Sequence, residues 1–393
     1  MIKIFASILQ DKGARLIMSA LEVAGEARFI GGCVRDAVLG QPSVDVDLAT
    51  TLLPEKVLDL LRAAGLTARP LGAAHGVVLA WHNKQRYEIA TLREDVATDG
   101  RHALVAYTQD WAIDARRRDF TINALSADLN GQVYDYIGGL EDLYAHQVQF
   151  IGEPTARIRE DYLRILRYYR FHTRFGHDWN ISARAACREN RAGLSQLSRE
   201  RVTEELRKLL SLGNPMPGCK AISEDEILAD IIPKLRDIPA LEKLLEREKV
   251  YGPQSWLVRL AAWGGQAKTF TEDFLDQFVF TRTDRADVKT SAILDFQVLN
   301  HAVYHYGAPA VRAAVMLRAA DQELPEFMQQ IDNFKIQEFP LRAESLLQMG
   351  VKPGPHLGEI LRQTENWWLE TNGLAGEAEC RNYAAALATV SSA

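Results

Sequence analysis

The sequence predicts an α+β fold: an N-terminal head with a small mixed sheet and helices, followed by an all-helical remainder. Two observations predict it. Through residue 137, short strand-like apolar runs alternate with helical patterns and are cut by glycine and proline. Beyond about residue 140, apolar residues recur with a period near 3.6 and no strong strand signal is left.

Taken in order, residues 28–30 form a short strand before the pair Gly31-Gly32, and a helix over 34–39 ends at Gly40 and Pro42. Residues 44–49 read as a second strand. Residues 54–64 carry helical spacing in Val57, Leu58 and Leu61 and stop at Gly65. Two strands, 76–81 and 86–91, flank a turn at 82–85. Residues 94–101 are polar and aperiodic, which predicts a loop. A helix is expected over 120–126 and a last strand over 133–137, before Gly138-Gly139. In the remainder, residues 159–171, 182–190, 198–210 and 224–231 have helical spacing, with Ser198 the N-cap of its helix and Glu200 and Glu204 in the early turns. The rest to residue 393 reads as helix broken at Gly252-Pro253, Pro309, Pro340 and Pro353-Gly-Pro355, with a frayed C-terminus.

The 393 residues are 47% hydrophobic and 25% charged, as in ordinary globular proteins. No stretch approaches the roughly 20 apolar residues of a membrane helix, and the N-terminus lacks a signal-peptide core. Four scattered cysteines without a CxxC pair predict a reduced, cytoplasmic protein without a zinc site. The net charge of −6 gives no global argument for nucleic-acid binding. The distribution does, because residues 157–191 carry nine arginines against four acids.

Asp45 and Asp47, in Gln41-Pro-Ser-Val-Asp-Val-Asp-Leu-Ala-Thr50, project on one face if the segment is a strand. Two carboxylates that close call for a cation, and hard oxygen ligands suit Mg²⁺ with substrate phosphates. The glycine pair upstream leads into a helix whose backbone N–H groups suit a phosphate. Together they suggest phosphoryl or nucleotidyl transfer. Glu88, on a strand of the head, is the candidate third carboxylate of a two-ion site.

A second signal is Asp114-Ala-Arg-Arg-Arg-Asp-Phe-Thr-Ile-Asn-Ala-Leu125. Arg117 or Arg118 is suited to a triphosphate and Asp119 to a ribose hydroxyl. A third is Arg159-Glu-Asp-Tyr-Leu-Arg-Ile-Leu-Arg-Tyr-Tyr-Arg-Phe171. On a continuous helix, Asp161 and Arg164 are neighbours at i and i+3, with Arg167 and Arg170 further along that face. An acceptor beside a donor matches the amino group and ring nitrogen of cytosine and adenine and mismatches uracil and guanine.

These motifs, with Phe29-Ile-Gly-Gly-Cys-Val-Arg-Asp36, Asp135-Tyr-Ile-Gly-Gly-Leu-Glu-Asp142 and Ser198-Arg-Glu-Arg-Val-Thr-Glu-Glu-Leu206, resemble in content and order the class II CCA-adding enzymes of the tRNA nucleotidyltransferase/poly(A) polymerase family. The resemblance covers residues 28–210; the helical remainder matches only in type. It implies Asp45 and Asp47 as ligands of Mg²⁺. Gly32, Arg35 and Arg118 would touch the nucleotide, with Arg118 and Asp119 near the ribose. Asp161 and Arg164 would select CTP and ATP, and Arg167 and Arg170 would hold phosphates. It further implies a hinge at Gly138-Gly139 and a mobile loop over 93–102, where Ala103 stands in place of an expected proline.

The implied organisation is a catalytic head (1–140), a base-reading neck (141–212), an RNA-binding body (213–300) and a tRNA-binding tail (301–393). The expected partners are tRNA, CTP and ATP, with no membrane and no protein partner. The expected activity is template-independent CCA addition. Poly(A) polymerase, a partial CC- or A-adding enzyme and a non-catalytic RNA-binding protein are the alternatives. His177-Asp178 has no metal-ligand set around it, so no phosphohydrolase activity is expected.

Overall fold

The computed structural model describes every residue except 1, 5, 6, 44, 72–75, 99–102, 266–271, 297, 336, 337, 372 and 391–393, and only the backbone of 95–98, 103–105 and 390. Helix α1 (Lys12–Leu21) starts at Asp11, whose carboxylate accepts the Ala14 amide at 2.8 Å, and buries Ile17, Met18 and Leu21. Strand β1 (Ala27–Ile30), buried along its length, runs into α2 (Gly32–Val38) through Gly31. Strand β2 (Asp47–Thr50) and helix α3 (Pro54–Ala63) follow, then β3 (Thr67–Pro70), β4 (Val77–His82) and β5 (Gln85–Thr91). The β4–β5 turn places Asn83 and Lys84 at φ 48° and 68°, the twist a two-residue hairpin demands.

Strand β6 (Arg93–Thr98) and β7 (Ala103–Tyr107) form a separate antiparallel ribbon, followed by α4 (Trp111–Arg116). The loop expected over 94–101 is therefore corrected to strand up to Thr98; residues 99–102 lie outside the described residues. A ribbon paired only with itself needs no alternating apolar face, so periodicity could not announce it.

The helix expected over 120–126 is corrected to a 3₁₀ turn (Thr121–Asn123) and a short strand β8 (Ser126–Ala127). Asn123 engages Asp119 and Arg35 with its side chain, and this local bonding competes with helix. Strand β9 is only Val133–Tyr134, shorter than the expected 133–137. The main sheet has the order β3-β4-β5-β2-β1-β8-β9 and is mixed: β2 runs antiparallel to β1 and parallel to β5.

Helix α5 (Gly139–Tyr144) begins at the expected hinge. There Asp135 accepts the backbone N–H groups of Ile137, Gly138, Gly139 and Leu140 at 2.9–3.1 Å. Helices α6 (Pro154–Glu160), α7 (Leu163–Phe175), α8 (Ile181–Glu189), α9 (Arg199–Leu210) and α10 (Met216–Glu224) follow. Ser198 sits at the N-cap of α9 as expected. The helix expected over 224–231 is corrected: after α10 the chain turns at Asp225, a buried acceptor for Tyr169 and Arg184, and Glu226 takes φ 52°. Around α7 an aromatic cluster of Phe120, Phe150, Tyr168, Phe171 and Trp179 closes the core.

The chain divides into two compact units, Met1–Pro233 and Lys234–Ala393. The second contains α11 (Ile238–Tyr251), α12 (Trp256–Trp263), α13 (Glu272–Leu275), α14 (Arg282–Ile293), α15 (Leu299–Tyr306), α16 (Ala308–Arg318), α17 (Leu324–Asn333), α18 (Ala343–Gln348), α19 (Pro355–Glu370) and α20 (Glu377–Val390). Its interior includes a buried Arg259–Glu248 pair at 2.6 Å and Arg247, which donates to the Met316 and Ala319 carbonyls. A separate apolar cluster around Trp368, Leu346 and Ile360 holds α18–α20. No helix among the described residues is long and apolar enough to cross a membrane.

Candidate active site

Strand β2 starts at Asp47, three residues later than the strand expected over 44–49; Val44 lies outside the described residues. In the parallel β2–β5 register, Asp47 is the partner of Glu88. Asp45, just before the strand, lines the same cleft with Val46, Asp47, Gln85, Arg86 and Glu88. The three predicted carboxylates are thus brought together. Asp45 is exposed, and Glu88 is open to solvent and pairs with Arg86 at 3.1 Å. Burial, then the charges of Glu88 and Asp45, push the Asp47 carboxyl above its ordinary range; Arg118 and Arg86 offset this only in part. Carboxylates whose repulsion the protein offsets only in part fit a hard divalent cation, so Asp45 and Asp47 suit its ligation. Behind them the buried Cys33 thiol donates to the Ile30 carbonyl at 3.2 Å and the Asp47 carbonyl at 3.8 Å, and burial pushes it up to about 11.

Of the glycine pair, Gly31 carries the backbone demand. Its φ of 70° and ψ of −130° belong to glycine, and a Cβ there would meet Arg118 Nη1 at 3.4 Å. Gly32 opens α2. Arg118 is therefore beside the glycine turn, and its charge acts on Asp47. Buried Asp114 holds it at 2.9 Å, holds Arg117 at 2.8 Å and accepts the Arg93 amide at 3.3 Å.

Arg35 faces inward rather than into the cleft. It is buried between Phe171 and Phe175, donates twice to Asp36 and donates to Asn123 Oδ1 at 2.5 Å. Asp119 is buried as well. Its Oδ1 accepts Phe120 N and Asn123 Nδ2, and its Oδ2 accepts Arg167 Nε at 2.7 Å and Nη2 at 2.5 Å. Two bonds on each oxygen fill the carboxylate's four acceptor sites, so a ribose hydroxyl reaches Asp119 only in exchange for one of them.

The continuous helix expected over 159–171 is corrected. Helix α6 ends at Glu160, Asp161 is extended at φ −157°, and α7 begins at Leu163. The Asp161 carboxylate favours this break by accepting the Leu163 amide at 3.1 Å. Its other oxygen accepts Arg201 of α9 at 2.7 Å. Arg164 Nη1 donates to Glu160 at 2.5 Å and to the Arg157 carbonyl at 2.8 Å. Each member of the expected base-reading pair thus has another partner, and each Asp161 oxygen keeps one acceptor site. Arg167 and Arg170 rest on carboxylates: Arg167 on Asp119 and on Glu205 at 3.6 Å, Arg170 on Glu205 at 2.6 Å.

The supporting roles of Asp36, Asp114, Asn123, Arg157, Glu160, Arg201 and Glu205 were not read from the sequence. Asp114 had a usable signal in its i, i+3 and i+4 spacing to Arg117 and Arg118, and so had Glu160, three residues after Arg157 and four before Arg164.

The sequence family described as "Poly A polymerase head domain" matches residues 27–149, and "Probable RNA and SrmB- binding site of polymerase A" matches residues 181–238. The CCA tRNA nucleotidyltransferase 1, mitochondrial, of Danio rerio is 33% identical over 359 residues, covering 87% of this chain and 83% of its own. The CCA-adding enzyme of Streptococcus sanguinis is 33% identical over 368 residues, 89% of this chain and 91% of its own. The fold is similar to that of the Bacillus stearothermophilus CCA-adding enzyme in complex with CTP, with a TM-score of 0.74 at 24% identity over 97% of this chain and 98% of that one. It is also similar to the Thermotoga maritima CCA-adding enzyme complexed with tRNA, with a TM-score of 0.67 at 20% identity over 98% of this chain and 99% of that one.

Proposed function

The chain belongs to the CCA-adding tRNA nucleotidyltransferases, and from that premise we propose that it adds C, C and A to the 3′ end of tRNA from CTP and ATP. At each step the terminal hydroxyl attacks the α-phosphorus and pyrophosphate leaves. The observation that carries the reading is the parallel pairing of Asp47 with Glu88, which sets a half-buried carboxylate beside Asp45 in one cleft within reach of the Arg118 charge.

Asp45 and Asp47 would hold the divalent cation that this family uses, taken here as Mg²⁺, with Glu88 beside them. When bound, that cation neutralises charge on the attacking and leaving oxygens. The chain's own residues position the substrates. The Gly31 turn and the start of α2 receive the triphosphate, with Arg118 alongside. Asp161 accepts the amino N–H of cytosine or adenine through its remaining lone pairs, and Arg164 donates to the ring nitrogen after leaving Glu160. Arg167 and Arg170 add positive charge near the nucleotide while anchored on Asp119 and Glu205. The roles of head (1–140), neck (141–212), body (213–300) and tail (301–393) follow the same reading, as does a cytoplasmic location, which four free, buried cysteines support.

Incubating the protein with labelled CTP and ATP, Mg²⁺ and a tRNA that lacks its terminal CCA tests this. Incorporation of two C residues and one A is expected. No incorporation overturns the enzyme reading; long A tails select poly(A) polymerase, and CC or A products alone select a partial enzyme.

A further inference from the structure

Arg157 joins the two halves of the site. Its Nη2 donates to the backbone carbonyls of Arg117 at 2.6 Å and Arg118 at 2.8 Å, 40 and 39 residues away in the chain. Its Nη1 donates to both oxygens of Glu160, at 2.6 and 2.5 Å. Glu160 also binds Arg164, whose Nη1 reaches back to the carbonyl of Arg157 itself. One guanidinium therefore fastens the last turn of α6 to the peptide that carries Arg118. Arg118 lies against Gly31 on the phosphate side, whereas Asp161 follows α6 directly on the base side. The Arg157 side chain is only 13% exposed.

We propose that Arg157 is a positioning residue that sets the spacing between the phosphate-side and base-side groups, and so couples base identity to reaction. The proposal rests on the nucleotidyl-transfer reading above. With the latch closed, a nucleotide presents its α-phosphorus to the carboxylate cleft only when its base edge also satisfies Asp161 and Arg164. With the latch open, the two ends adjust independently, and a uracil or guanine base no longer pulls the phosphates out of line. Loss of the latch then harms selectivity more than it harms the rate with the correct nucleotide. A guanidinium suits the task because its planar fork can straddle two carbonyls and a carboxylate together, which a lysine ammonium cannot reproduce.

The test measures kcat/KM for CTP and for UTP with tRNA lacking CCA, in the wild type, Arg157→Gln and Arg157→Lys, with the melting temperature of each. Wild-type CMP incorporation comes first; its absence overturns the functional reading and the latch with it. Given wild-type activity, the CTP-to-UTP ratio is expected to fall about tenfold or more in Arg157→Gln, as loss of hydrogen bonds to a charged group implies. Arg157→Lys should keep less than half of the wild-type ratio. A purely structural role lowers both rates alike and leaves the ratio at the wild-type value, and that result overturns the proposal. If Arg157→Gln does not fold, the ratio in Arg157→Lys decides by the same criterion.

Discussion

Asp119 and Arg167 meet through two hydrogen bonds at 2.7 and 2.5 Å, across 48 residues of chain, and tie the 3₁₀ turn of the head to helix α7. The carboxylate side is buried and the guanidinium keeps partial contact with water. Removing the Asp119 charge leaves Arg167 only its longer contact with Glu205 at 3.6 Å. Asp119→Asn should cost about 3 kcal/mol, the lower end for breaking a buried pair because Arg167 is partly hydrated. The urea midpoint, compared with wild type at unchanged m-value, measures it.

The same pair has a pH signature. Burial alone would raise the Asp119 carboxyl, but Arg167, Asn123 and the Phe120 amide overcome it and hold the carboxyl below its ordinary range. In the unfolded chain the group titrates near the ordinary value of about 4, so the stabilisation is complete above that pH and is lost as pH falls through the lower, folded value. Asp114, held low by Arg118 and Arg117 against its own burial, acts in the same direction. Wild-type stability should therefore fall on acidification below about pH 4 more steeply than that of Asp119→Asn. Denaturation curves for both proteins across that range check this.

Asp45 is exposed and outside the strand ladder, so Asp45→Ala should leave the melting temperature nearly unchanged. Activity should fall by about a thousandfold, the scale of several kcal/mol of lost charge stabilisation. Excess chelator should abolish wild-type incorporation and added Mg²⁺ should restore it; activity that survives chelation would remove the metal from the proposal.

Asp161→Ala should admit UTP and GTP, lowering discrimination by about tenfold to a hundredfold through loss of one charged acceptor. The bond from Arg201 gives a control. Arg201→Ala frees one more lone pair of Asp161 while leaving the reader in place, and should weaken selectivity less. Equal incorporation ratios in wild type and Asp161→Ala would refute the base-reading role.

Gly31→Ala should destabilise the head by about 2 kcal/mol, because alanine strains at positive φ. The added methyl would lie in van der Waals contact with Arg118, so it is the strained turn that should lower kcat/KM, for CTP and ATP alike. Thermal unfolding together with steady-state kinetics separates the two effects.

The legible parts of this molecule were those with local signatures. A continuous apolar run announced β4 and alternation announced β5, glycine punctuation announced the β1–α2 turn, and the Asp-x-Asp spacing placed two carboxylates in one cleft. What escaped was decided by distant partners. The parallel register that pairs Asp47 with Glu88 depends on strands 41 residues apart. Asp161 looks like a mid-helix residue in sequence, yet a side-chain bond to Leu163 and a pair with Arg201 make it a helix break. The β6–β7 ribbon pairs only with itself, apart from the main sheet. The resemblance has Arg35 touching the nucleotide, and only Asp36, Asn123 and two phenylalanines show why it turns inward.

All four thiols are free and shielded from solvent, and Cys33, the one nearest the carboxylates, stays protonated far above neutral pH. Maleimide and iodoacetamide reagents react with exposed thiolates, so the native chain offers them almost no target under mild conditions. A single cysteine introduced at an exposed position, for example Glu94 on β6 or Arg159 on α6, can therefore carry a fluorophore or spin label without first stripping out the native ones. Distance measurements during successive additions then become possible on an otherwise unaltered enzyme.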